Sequence, residues 1–153
     1  LIKKNFSRIM SLKDGLKKMS KSDPSDLSRI NLTDTKDEII NKIKKAKTDS
    51  LPIPETVGEL DKRLEAKNLI GIYASLTNST LDKSLENFAG QNFSEFKEKL
   101  SQVLVDKIGS ISLEIKKLLD DKSYLDQILL EGVEKADLIA SNKIKKIKEI
   151  IGF

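Results

Sequence analysis

The sequence predicts a mainly α protein: an antiparallel helical bundle preceded by one short strand and a lysine-rich loop. Three observations predict it. From Lys36 onward, apolar residues recur at three- and four-residue steps. Capping residues stand where those runs begin. The three prolines, Pro24, Pro52 and Pro54, fall before or between the runs and never inside them.

Residues Arg8–Leu12 (RIMSL), followed by Asp14-Gly15, read as a short buried strand that ends in a turn. Gly15 supplies backbone freedom at that point. Pro24 keeps Asp23 out of the helical region, so Lys13 to Leu32 should be a mobile loop with at most one helical turn near Ser25. Thr35 and Glu38 form a capping box, which starts a helix over Lys36–Lys47. Its buried side carries Ile39, Ile43 and Ala46, with Ile40 beside them. Lys42, Lys44, Lys45 and Lys47 gather near its end, where cations suit the negative pole of the helix.

Thr48 to Asp61 reads as a loop. A helix over Lys62–Ser75 follows, with Leu69, Ile72 and Tyr73 inward and Leu76 continuing the stripe. A short helix over Leu81–Phe88 is capped by Thr80 and ended by Gly90. The next run steps through Phe96, Leu100, Val103, Leu104, Ile108, Ile111, Ile115 and Leu118, with Ser94 as its N-cap. Gly109 inside it costs about 1 kcal/mol against Ala, which predicts a close packing contact there. The last helix, Ser123 to Ile151, repeats the pattern through Leu125, Ile128, Leu129, Ile139, Ile144 and Ile147. Small residues Gly132, Ala136 and Ala140 in that helix would let a neighbour approach closely.

Composition sets the bounds. A chain of 153 residues can hold one full domain and part of another. It has no Cys and no His, which removes thiolate metal sites, disulfides and the usual neutral-pH base. Carboxylate pairs such as Asp120-Asp121, or Asp34 with Asp37, read as helix-end and surface charges, and no metal site is predicted. No run of about eighteen apolar residues is present, so no membrane span is expected. The opening LIKKNF lacks a signal-peptide pattern. The net charge of +4 is compatible with an RNA partner. The Lys, Ile and Asn bias of the whole chain discounts that charge as functional evidence.

Chemistry concentrates in Lys18-Met19-Ser20-Lys21-Ser22, KMSKS. Two lysines bracket a small flexible core, so a tight loop can aim both cationic heads at one polyphosphate. Ser20 adds a hydroxyl donor, Ser22 would shape the exit of the loop with Asp23 and Pro24, and Met19 would bury its side chain. KMSKS is a phosphate-handling signature of class I aminoacyl-tRNA synthetases. The stretch RIMSLKDGLKKMSKSDPSD, Arg8 to Asp26, resembles tryptophanyl-tRNA synthetases of the bacterial and organellar type. So do KTDS at Lys47–Ser50, AKNLIGIYASLT at Ala66–Thr77 and EGVEKADLIAS at Glu131–Ser141, in the order and spacing of that family. Tyrosyl-tRNA synthetases carry a version of the lysine loop without the following Asp-Pro or the later blocks.

The resemblance implies a two-step reaction. ATP, with Mg2+, and tryptophan give an adenylate and pyrophosphate, and the amino acid then passes to tRNA(Trp). It implies catalytic roles for Lys18 and Lys21 and ATP-binding roles for Ile9, Lys18, Met19, Ser20, Lys21 and Ser22. It further implies that residues 1–32 are the C-terminal edge of a Rossmann-like catalytic domain and residues 33–153 a helical anticodon-binding domain. Lys143, Lys145, Lys146 and Lys148 form a basic strip on the last helix. The partners implied are ATP, tryptophan, tRNA(Trp) and a second copy in a homodimer, in the cytoplasm and away from membranes. The family's histidine-containing nucleotide motif is absent, and Leu1 falls inside a family block. The chain is therefore expected to be the C-terminal part of a longer enzyme, inactive alone. Alternatives are a stand-alone helical RNA-binding or scaffold protein, and a tyrosyl-tRNA synthetase fragment.

Overall fold

Six α-helices follow one another along the described residues of the computed structural model, which are 8–152. The LIKKNF opening lies outside them. The order is a 3-10 turn at Asp26–Ser28, then α1 (Lys36–Lys44), α2 (Val57–Leu60), α3 (Leu64–Leu76), α4 (Leu81–Phe88), α5 (Phe93–Asp120) and α6 (Lys122–Ile151). No sheet forms among the described residues. Met10 makes a single antiparallel bridge to Lys18. Of the predicted strand, Leu12 and Ser11 are buried, whereas Ile9 is 43% exposed. Among the described residues no second strand lies beside its first half other than the lysine loop.

The start of α1 is as read: Thr35 accepts from the Glu38 amide, and Glu38 reaches back to the Thr35 amide at 2.7 Å. Its end comes three residues earlier than expected. The Lys47 amide is taken by the Leu12 carbonyl at 2.7 Å, which ties the helix exit to the strand instead of prolonging the helix. The α2 helix lies inside the predicted loop. Thr56 caps it, and four residues are too few to carry a period. The α4 helix has the predicted bounds and the predicted Thr80 cap, and Gly90 leaves it at φ +74°, a conformation that favours glycine. The α5 helix starts at Phe93, so Ser94 lies within it and is not its cap.

The chain divides into two compact units, Leu1–Ser112 and Leu113–Phe153. The core of the first joins Ile39 and Ile43 of α1, Leu69 and Ile70 of α3, Leu85 and Phe88 of α4, and Phe96 and Leu100 of α5. Edge-to-face aromatic pairs run through it: Tyr73–Phe88 and Phe88–Phe96, each with ring centroids 4.9 Å apart. On α3 the buried residues are Ala66, Leu69, Ile70, Gly71 and Ala74, with Ile72 and Tyr73 only partly buried. The helix is apolar nearly all round, so its sequence period could not select the inward side.

In the second unit, α6 is capped by Asp121, which accepts from the Tyr124 amide, and ends at Gly152 with φ +84°. It buries none of its residues; Leu129, Ile139 and Ile147 are exposed. Among the described residues a Cβ on Gly132 would meet nothing within 4 Å in its own unit, and one on Gly109 nothing in its own, so neither unit by itself makes the close approach expected there. Periodicity identifies the apolar side of a helix and not what covers it.

Candidate functional site

The lysine loop is built as the second arm of a small hairpin. The Ser11 amide donates to the Lys17 carbonyl at 2.8 Å, and the Met19 amide to the Ile9 carbonyl at 3.0 Å. Between them Met10 faces Lys18 across the bridge. The turn that joins the arms is closed by Asp14, whose carboxylate accepts from the Leu16 amide at 3.0 Å. Gly15 is buried there against the start of α3. A Cβ at this position would lie 2.9 Å from the Leu64 carbonyl carbon and from the Glu65 nitrogen. The glycine serves a close approach of two backbones; its φ is not in the left-handed region, so freedom of φ is not the reason for it.

Beyond Met19 the chain turns at Ser20–Asp23, closed by the Asp23 amide on the Ser20 carbonyl at 3.4 Å. Lys21 stands at the tip of this turn. The Ser20 and Ser22 hydroxyls are 2.9 Å apart. Lys18, Ser20, Lys21 and Ser22 are all exposed, while Met19 is partly buried and packs on the helical core. Met19, Ser20 and Lys21 line an open recess of about 440 Å³ with Arg29 and Asn31. Ile9 lines a separate cavity of about 230 Å³ with Met10, Gly15, Asn68 and Ile72. Thus Lys18 and Met19 lie on the arm of the hairpin, and Ser20, Lys21 and Ser22 on the turn that follows it. Ile9 is joined to them through the backbone of Met19. The exit of the loop is shaped by Asp23, which accepts from the Ser25 amide at 2.8 Å, rather than by Ser22.

Three groups that sequence reasoning missed hold the loop at its roots. Asn68, on α3, accepts from the Met10 amide and donates to the Met10 carbonyl, both at 2.9 Å. Lys42, on α1, has a side chain only 3% exposed and lies 2.6 Å from Asp26 and 2.7 Å from Asp34. Arg29 donates to the Asp23 carbonyl at 2.9 Å and pairs with Asp26 at 3.1 Å. Burial acts to lower the Lys42 pKa, but the hydrogen bonds to Asp26 and Asp34 outweigh it and hold it above the ordinary lysine value. The same ammonium, with Asn31, holds the Asp26 carboxyl below the usual range. Two signals were available. Asn68 is a lone amide in an otherwise apolar turn of helix. Lys42 falls on the Ile39–Ile43 side of α1 and not with the solvated lysines. Further along, Arg63 pairs with Asp49 of the KTDS block and donates to the Pro52 carbonyl at 2.7 Å, which fixes the segment between α1 and α3.

The family profile for tRNA synthetases class I (W and Y) matches residues 2–108. The chain is 51% identical over 146 residues to the tryptophan–tRNA ligase of Agrobacterium fabrum, covering 95% of this chain and 41% of that protein. It is 47% identical over 153 residues to that of Caulobacter vibrioides, covering 100% of this chain and 44% of that protein. It therefore spans less than half the length of these relatives. Among solved structures, tryptophanyl-tRNA synthetase from Mycoplasma pneumoniae aligns at TM-score 0.72 and 25% identity, over 99% of this chain and 45% of that one. The Campylobacter jejuni tryptophanyl-tRNA synthetase, complexed with ADP and tryptophan, aligns at TM-score 0.73 and 22% identity, over 99% of this chain and 45% of that one, and shares the fold.

Proposed function

We propose, since this chain belongs to the class I tRNA synthetases (W and Y), that it is the C-terminal part of a tryptophan–tRNA ligase. The whole protein would activate tryptophan with ATP and charge tRNA(Trp). The observation that carries this reading is the intact KMSKS run, hydrogen-bonded at its root and exposed at its tip. Residues 1–32 would form the edge of the catalytic domain and residues 33–153 the tRNA-binding domain.

In this reading the chain's own contribution to the first step is electrostatic. As pyrophosphate leaves, negative charge builds on its oxygens. Lys18 and Lys21 would meet that charge more strongly in the transition state than in the ground state, and this difference accelerates the reaction. Ser20 and Ser22 would offer hydroxyls to the phosphates, and Ile9 and Met19 would edge the adenine. Mg2+ would arrive as the counter-ion of ATP. The second step would draw on the helices to hold tRNA. The full protein would work as a cytoplasmic homodimer. This chain alone would make no adenylate and would hold tRNA weakly and in a salt-sensitive manner.

The test is tryptophan-dependent ATP–pyrophosphate exchange by the full-length protein. Lys21→Ala should slow exchange about a hundredfold, from loss of roughly 3 kcal/mol of transition-state stabilisation. Tryptophan binding should barely change. Exchange supported by tyrosine instead of tryptophan would move the assignment to the sister enzyme. A Lys21→Ala rate within about twofold of wild type would remove Lys21 from the mechanism.

A further inference from the structure

The outer edge of the strand at Met10 poses a satisfaction problem. Its inner edge belongs to the hairpin, through Ser11–Lys17 and Ile9–Met19. In such a bridge the amide and carbonyl of Met10 point away from Lys18. A half-buried backbone donor and acceptor there need a partner. Among the described residues no neighbouring strand supplies one. The Asn68 side chain does, with its carbonyl oxygen on the Met10 amide and its amino group on the Met10 carbonyl, at 2.9 Å each. A carboxamide carries the same donor and acceptor pair as a peptide unit, so Asn68 stands where a third strand would stand.

Met10 lies between the two residues that fix the loop. Ile9 accepts from Met19, and Ser11 donates to Lys17, so Lys18 is set by where Met10 is held. We propose that Asn68 is a positioning residue for the Lys18–Ser22 loop: its carboxamide closes the open edge of the Met10 strand and so fixes the lysines relative to the helical body. The part of this that concerns catalysis rests on the function proposed above. Asn68 touches no substrate in this account; it acts through Met10.

The experiment uses the full-length protein with Asn68→Leu and Asn68→Asp. Leucine is close in size, removes both hydrogen bonds and favours helix, so α3 itself is not weakened. Aspartate keeps the acceptor for the Met10 amide but sets a carboxylate against the Met10 carbonyl. The first readout is amide hydrogen exchange. In Asn68→Leu, Met10, Ser11 and Met19 should exchange at least about tenfold faster, and in Asn68→Asp, which keeps the Met10 acceptor, Ser11 and Met19 should do so, while Ile70 and Leu85 in the helical core stay within about twofold. Unchanged exchange at Met19, or equal acceleration in the core, would overturn the proposal. The second readout is tryptophan-dependent pyrophosphate exchange, where kcat should fall about tenfold with the KM for tryptophan unchanged. A kcat equal to wild type would overturn the proposed effect on catalysis. If the wild type itself lacked exchange activity, the functional reading would fail, and the amide data would still decide the role of Asn68.

Discussion

Replacing Lys42 by methionine should destabilise the first unit by about 3 kcal/mol, and the structure supplies the reason for that size. The Lys42 side chain is 3% exposed and its ammonium lies between Asp34 and Asp26. Removing one partner of a buried pair costs about 3–5 kcal/mol, because the other charge stays buried. Here that charge is Asp34, whose side chain is 6% exposed. Asp34 keeps two donors, the Asn31 amide at 2.8 Å and the Asn31 side chain at 3.1 Å, so the lower end of the range applies. Asp26 is 57% exposed and rehydrates, so it adds little. Adding Asp34→Asn removes the stranded charge and should restore part of the loss, giving a non-additive cycle.

A urea titration would measure this effect. Near-ultraviolet dichroism of Tyr73, packed against Phe88, would report on the first unit, since the other tyrosine, Tyr124, is 48% exposed. The pH dependence has a definite sign. The Lys42 pKa is raised on folding, so its contribution is fully present below the unfolded lysine value of about 10.4 and is lost as pH rises through the folded value. The difference between wild type and Lys42→Met should therefore shrink only at strongly alkaline pH. A single-mutant loss below about 1 kcal/mol, or an additive cycle, would refute the reasoning.

Three other substitutions test the rest of the account. Gly15→Ala would force a Cβ against the backbone of Leu64 and Glu65 at 2.9 Å and should cost about 1–3 kcal/mol by urea titration, with faster amide exchange in the turn. Gly109→Ala meets nothing within 4 Å inside α5 and should raise stability by about 1 kcal/mol, read as a higher melting temperature. Phe96→Ala empties the fully buried centre of the aromatic cluster and should cost about 3–5 kcal/mol, with loss of the Tyr73 near-ultraviolet signal.

What could be read from the sequence was what depends on neighbours in the chain. The Thr35–Glu38 box, the Thr80 cap and the Gly90 exit are local devices, and the structure has each of them in place. The KMSKS run was legible because its residue types and spacing are its signal. What remained hidden depends on contacts between distant segments. The Lys47 amide ends α1 early because Leu12, far upstream, accepts from it. Asn68 and Met10 are separated by 58 positions. The inward side of α3 was misjudged because an all-round apolar helix carries no directional period. The apolar side of α6 was legible from its period, though the helix buries none of its residues among the described residues.

The anchoring pattern bears on how a lysine loop can be both mobile and useful. Ordering a residue from a free state costs roughly 1–2 kcal/mol. Were the whole stretch from Lys13 to Leu32 loose, closing it on a ligand would cost roughly 20–40 kcal/mol. Two lysine–phosphate contacts at about 3 kcal/mol each could not offset that. In this structure Met19 is tied to Ile9, Met10 to Asn68, Asp23 to Arg29, and Asp26 to Lys42. Between the Met19 and Asp23 anchors, Ser20 and Ser22 are bonded only inside their own turn, and Lys21 stands between them. Ordering three residues costs roughly 3–6 kcal/mol, which contacts of that strength can offset. On the proposed function, the clamps at Asn68, partly buried, and Lys42, buried, therefore do more than stabilise the fold. They confine the conformational cost of closure to the turn that carries Lys21, and so leave the lysine contacts available to act where charge develops.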